Sequence, residues 1–91
     1  SIVRRRSMVS RNMTINIPSG LEARPVALLV QVASQYESKI MVETGSKQIN
    51  AKSIMGMMSL GLDEGENLTV VADGVDEEEA INHIERYLSS K

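Results

Sequence analysis

Two short segments hold the residues best placed to do chemistry. One is Gly20-Leu21-Glu22-Ala23-Arg24-Pro25, a loop that feeds a helix N-terminus. Backbone N–H groups without intrahelical partners, together with the helix dipole, make such a junction an anion site. Arg24 adds a fixed positive charge with a forked donor set. A loop–helix junction with one arginine is common, so this signal alone is weak. The other segment is Lys52-Ser53-Ile54-Met55-Gly56-Met57-Met58-Ser59-Leu60-Gly61. Ser53 is first a helix N-cap, because its hydroxyl can accept from a free N–H of the first turn. It is also a position where an added phosphate is favoured by the helix dipole.

Other chemistry is excluded by composition. The chain has 91 residues and no cysteine, so disulfides, thiolate metal sites and cysteine nucleophiles are ruled out. One histidine, His83, leaves no His-His metal pair. It lies one turn from Glu79 and one from Tyr87, and it reads as a solvent-side helix residue. No GxGxxG, P-loop or HExxH pattern occurs. Neither a metal nor another cofactor is expected, and the chain does not read as an enzyme.

The formal charge of −2 hides an asymmetry. Arg4, Arg5 and Arg6 fall in the first seven residues; the remainder carries seven basic against twelve acidic residues, a net of −5. An acidic body argues against binding a phosphate backbone, which needs a basic face. The arginine run reads as a solvated, disordered tail or the remnant of an upstream start rather than a nucleic-acid arm. Stacking aromatics for single-stranded nucleic acid are missing too. No apolar run approaches the ~20 residues of a membrane span, and no h-region follows the basic start. With no cysteine staples in so small a chain, an intracellular, cytoplasmic setting is expected.

Seven elements must position these segments. Met13, Ile15 and Ile17 alternate with Asn12, Thr14 and Asn16, which predicts a strand over Ser10 to Ile17. A helix begins at Arg24 or Pro25, with Val26, Leu29, Val30 and Ala33 as its core stripe. Ile40 and Val42 form the buried side of a strand from Ser38 to Thr44. A turn at Thr44-Gly45-Ser46 and a second arm, Lys47 to Ala51, complete a hairpin. Ser53 to Leu62 reads as a short helix capped by Ser53 and stopped by Gly61. Its apolar residues go almost all the way round, so part of that surface is expected to face solvent. A strand follows from Leu68 to Ala72. The last helix starts at Asp76 as N-cap, with Glu79 in a capping box and Val75 and Ala80 as a hydrophobic staple. The run Glu77-Glu78-Glu79 suits the positive end of its dipole. Ala80, Ile81, Ile84, Tyr87 and Leu88 form its core face. With no Phe or Trp, the core consists of Ile, Val, Leu, Met and Ala. The order β-α-β-β-α-β-α has no internal repeat, and it predicts one domain over 8–91 behind a tail over 1–7.

Taken together, the two segments resemble the histidine-containing phosphocarrier family, HPr, of the sugar phosphotransferase system. The resemblance runs from Met8 to Ser90 in order and spacing. Pro18-Ser19-Gly20-Leu21 and Ala23-Arg24-Pro25 resemble the active-site loop. Lys52-Ser53-Ile54-Met55-Gly56 with Met58-Ser59-Leu60-Gly61 resembles the regulatory serine segment found in Gram-positive bacteria. The fold this resemblance implies is α+β: an open-faced β-sandwich with a four-stranded antiparallel sheet and three helices on one face. It also implies an anion or phosphoryl site at Glu22, Ala23 and Arg24. Ser53 is implied as a regulatory phosphorylation site, and Leu21, Ile54, Met55 and Met58 as the partner-binding surface. The implied partners are phosphotransferase-system proteins, an HPr-type serine kinase and a transcriptional repressor of carbon metabolism.

One position departs from the family pattern. Between Leu21 and Ala23 the family carries the histidine that accepts phosphate; here it is Glu22. A neutral imidazole is nucleophilic near pH 7, whereas a carboxylate with an ordinary pKa of about 4.3 is already anionic. Histidine phosphorelay is therefore not expected, and the expected function is regulatory, through Ser53. Other readings of Glu22 stay open. It can partly imitate a phosphorylated state, be a tolerated polar residue, form an acyl phosphate, or stand as a natural or engineered replacement of the histidine.

Overall fold

The computed structural model describes residues 8–17 and 23–89. The expected tail over 1–7 lies outside them. The elements are β1 (Val9–Thr14), α1 (Ala23–Ser34), β2 (Lys39–Thr44), β3 (Lys47–Asn50), α2 (Ile54–Met58), β4 (Asn67–Asp73) and α3 (Glu77–Leu88). The strands form one sheet in the order β1-β4-β2-β3, and every pairing is antiparallel. This is the open-faced α+β sandwich, with the three helices on one face.

Strand alternation decides which face the helices cover. Met13 of β1, Ile40 and Val42 of β2, and Leu68, Val70 and Ala72 of β4 are buried on the helix side. Val26, Leu29 and Ala33 of α1 and Ala80, Ile81, Ile84 and Leu88 of α3 meet them. Val32, outside the expected stripe of α1, is buried as well, and Val30 packs at the margin of the core. Among the described residues no element covers the opposite face of the sheet. Lys39, Met41, Glu43, Val71 and Asp73 border a shallow hollow there of about 460 Å³.

Several ends differ from the sequence expectation, each for a local reason. β1 leaves its regular ladder after Thr14, yet Ile15 still donates to the Glu66 carbonyl (2.9 Å) and accepts from Gly65 N–H (2.7 Å). Asn16 N–H then turns to the Leu88 carbonyl at the end of α3 (2.8 Å). α2 has five residues and does not continue to Leu62. Ser59 N–H and Oγ both bond the Gly56 carbonyl, Leu60 N–H bonds the Met57 carbonyl, and Gly61 follows at φ +60°. Those i→i+3 bonds tighten and end the helix.

The start of α3 is the clearest correction. Asp76 makes no side-chain capping bond. Its carboxylate instead accepts from Glu37 N–H (2.9 Å), Ser38 N–H (3.0 Å) and the Ser38 hydroxyl. Glu77, not Glu79, reaches back, accepting from Gly74 N–H at 2.9 Å. The expected staple is absent, because Val75 is 91% exposed while Ala80 is buried. Tertiary structure recruits Asp76 because Ser38 is buried and its donors need an acceptor.

These bonds, the Ser38 hydroxyl first and Glu37 N–H next, hold the Asp76 carboxyl below the usual carboxylate range. The folded state therefore binds this proton less tightly than the unfolded chain does. Its stabilisation is present above the unfolded value, about 3.9 for Asp. It is lost as pH falls through the lower, folded value. Asp76→Asn is expected to lower the melting temperature at pH 7 and to shrink the difference from the wild type as pH falls below about 4. A thermal melt series over that range checks it; a pH-independent gap between the two proteins refutes the linkage.

Candidate functional site

Ser53 stands where β3 turns into α2, and a chain of local bonds fixes it there. Asn50 Oδ1 accepts from Lys52 N–H (2.8 Å), and the Asn50 carbonyl accepts from Ser53 N–H (3.0 Å). Ala51, fully buried, donates to the Ile40 carbonyl (2.9 Å), which ties the turn to β2. Lys52 Nζ donates to the Tyr36 carbonyl at 2.7 Å, linking the same turn to the end of α1. Ser53 then adopts an extended conformation, φ −103° and ψ 108°, and its Oγ accepts from Gly56 N–H at 3.2 Å. It is the N-cap expected from its type. Its side chain is exposed.

α2 separates its apolar residues sharply. Met57 points inward and is fully buried. Ile54, Met55 and Met58 are 43%, 80% and 50% exposed. The helix packs on α1 and β3 with a single buried side chain, so a five-residue helix could not hide the rest. Gly56 is small for a steric reason. A Cβ there would sit 2.8 Å from Ile49 Cγ2 of β3. Leu28 on α1 is a further exposed apolar residue, which sequence reasoning missed. The signal was present, since Ala27-Leu28-Leu29-Val30 is a wider apolar run than one buried helix face needs.

The expected anion site is only partly within the described residues. Leu21 and Glu22 lie outside them. Ala23 and Arg24 are the first two residues of α1, and the Arg24 side chain is exposed. The start of α1 is held from the far side by Tyr87, whose Oη donates to the Pro25 carbonyl at 3.0 Å. Partial burial pushes the Tyr87 hydroxyl above its ordinary pKa, so it keeps the proton this bond requires.

His83 corrects the expectation of a solvent-side residue. It is half-buried, its Nδ1 lies 2.6 Å from Tyr36 Oη, and the two rings meet edge to face with centroids 5.8 Å apart. It fastens α3 to the segment after α1. Across the fold, Arg11 of β1 reaches Glu85 (2.8 Å) and Asn82 (2.7 Å) of α3. Neither contact brings a nucleophile to the Ser53 surface. Among the described residues no cluster of His, Asp and Glu is arranged to hold a metal ion. No described helix is long and apolar enough to cross a membrane.

Ser53, exposed and capping α2, stands beside the exposed residues Ile54, Met55 and Met58. The family pattern described as the PTS HPr component phosphorylation site matches residues 9–90. The chain belongs to the HPr family. Among HPr relatives it is similar to the HPr-like protein Crh of Bacillus subtilis (strain 168), 40% identical over 84 residues, 92% of this chain and 99% of the relative. It is likewise similar to Crh of Halalkalibacterium halodurans, 39% identical over 84 residues, with 92% and 100% covered. Of solved structures, the phosphocarrier HPr of Bacillus anthracis superposes with a TM-score of 0.86 at 41% identity, covering 89% of this chain and 96% of that one. The solution structure of Bacillus subtilis Crh gives a TM-score of 0.68 at 40% identity, with 91% and 99% covered. The chain therefore has an HPr-like role in the phosphotransferase system and catabolite repression. HPr and Crh are phosphocarrier or regulatory proteins, not enzymes, and their family interacts with proteins of the phosphotransferase system.

Proposed function

We propose that this HPr-family protein is a cytoplasmic regulator of carbon catabolite repression, switched by phosphorylation of Ser53 and not competent for histidine phosphorelay. The observation that carries this reading is the exposed Ser53 hydroxyl beside the exposed apolar residues Ile54, Met55 and Met58. An HPr-type serine kinase docks on that surface and transfers phosphate to Ser53. The added group brings about −1.5 to −2 charges and strong acceptor oxygens. A transcriptional repressor of carbon metabolism then binds the apolar surface and the phosphate together. Methionine suits two such partners, because its flexible, polarizable side chain adapts to different contours. Glu22, standing where the family carries its phosphate-accepting histidine, leaves the regulatory serine as the site of control. Mass spectrometry after incubation with ATP and an HPr-type serine kinase tests this. One phosphate on Ser53 is expected, and an unmodified protein overturns the reading.

A second reading rests on Glu22 beside Arg24: either an acyl-phosphate carrier or a carboxylate imitating a phosphorylated state. Incubation with the general phosphotransferase donor separates them, because only the carrier gains mass. Glu22→His is expected to take phosphate from that donor where the parent chain takes none. If the variant stays unlabelled, the loss of phosphorelay lies in more than this residue.

A further inference from the structure

We propose that Met55 and Met58 are a peroxide-sensitive modification site that turns the Ser53 surface off, an inference that rests on the docking role proposed above. The six methionines occupy very different surroundings. Met55 is 80% exposed and Met58 50%, whereas Met57 between them is fully buried and Met13 is 3% exposed. The chain has no cysteine, so no thiolate intercepts a peroxide before the thioethers do. Met55 and Met58 belong to the five-residue helix that Ser53 caps, and with Ile54 they make up its outward apolar surface.

The step is a transfer of one oxygen atom. The thioether sulfur attacks a peroxide oxygen, the O–O bond breaks, an S–O bond forms and water leaves. Sulfur loses two electrons and the peroxide gains them. The product is a chiral, polar sulfoxide in place of a flexible apolar side chain. Packed against an apolar partner surface, its oxygen has no donor, and burying an unpaired polar group is costly. The core is spared, because Met57 and Met13 are out of solvent reach. The fold persists while its contact surface changes character. Sulfoxide reductases, one for each epimer, reverse the change.

Dilute hydrogen peroxide followed by peptide mapping gives the first readout. Sulfoxide is expected at Met55 and Met58 about tenfold faster than at Met57 and Met13. Equal rates overturn the site. The second readout is the rate at which an HPr-type serine kinase labels Ser53, taken as the ratio of treated to untreated protein. That ratio is expected to fall about tenfold and to recover when both sulfoxide reductases are added. In Met55→Leu/Met58→Leu the ratio stays near one, whatever that variant's own rate. In Met8→Leu, which alters an exposed methionine preceding β1, it falls as in the parent. An unchanged ratio in fully oxidised protein overturns the inference, as does an equal loss in the double variant. Failure of the untreated protein to be labelled refutes the docking reading instead, and the regulatory half of this inference with it.

Discussion

Ser53→Ala is expected to lose all labelling by an HPr-type serine kinase while remaining folded. The hydroxyl has two roles that the substitution removes together. As a cap it accepts from Gly56 N–H at 3.2 Å, and loss of such a cap costs about 0.5–2 kcal/mol. The lower end applies here, because the bond is solvent-exposed and the helix it starts is short. As the proposed phosphate acceptor it is the serine at the start of α2. The next serine, Ser59, is exposed too, but its hydroxyl donates to the Gly56 carbonyl at the other end of α2. Ser59→Ala should therefore keep full labelling. Ser53→Asn keeps a capping acceptor but has no hydroxyl, so its expected loss of labelling separates the chemical role from the cap. Labelling that persists in Ser53→Ala sinks the assignment, and peptide mapping would locate the true site.

Gly74→Ala should be the most damaging single methyl in the described chain. A Cβ at Gly74 would lie 2.6 Å from both Ser38 Cα and Ser38 Oγ, and 3.0 Å from Ser38 Cβ. The hydroxyl can rotate away, but the backbone Cα cannot. Ser38 is 1% exposed and held by the Asp76 carboxylate through its N–H and its Oγ. Moving it aside breaks those bonds and shifts the start of β2. Overpacking of this kind costs about 1–3 kcal/mol. In a domain of this size each kcal/mol shifts the melting temperature by about 4–8 °C. Urea unfolding and a thermal melt both measure it. A variant within about 0.5 kcal/mol of the parent, the range usual for neutral surface changes, would show that Gly74 and Ser38 do not meet as described.

Much of the fold was legible because its signals are local. Met13 and Ile15, Ile40 and Val42, and Leu68 with Val70 show strand periodicity directly, and the sheet buries those residues. Ser53 was legible as a cap because capping joins residues three apart. The failures share one cause. Asp76 and Glu79 form a capping-box pattern, but Asp76 bonds residues 38 and 39 positions away in sequence. His83 read as a surface residue because its partner, Tyr36, is 47 positions away. Local patterns state what a side chain can do; the competition between a local and a distant partner is decided only when the elements pack.

The residue types by themselves determined the chemistry open to this protein. Without cysteine and with one histidine, disulfides, thiolate metal sites and a His-His metal pair are excluded, and Glu22 stands where the family has its phosphate acceptor. Which of the methionines meet solvent was beyond the sequence. Met55, Met57 and Met58 are nearly adjacent and chemically identical, yet one is fully buried and another 80% exposed. That difference comes from which side of α2 packs on α1 and β3, and only the packed structure sets it.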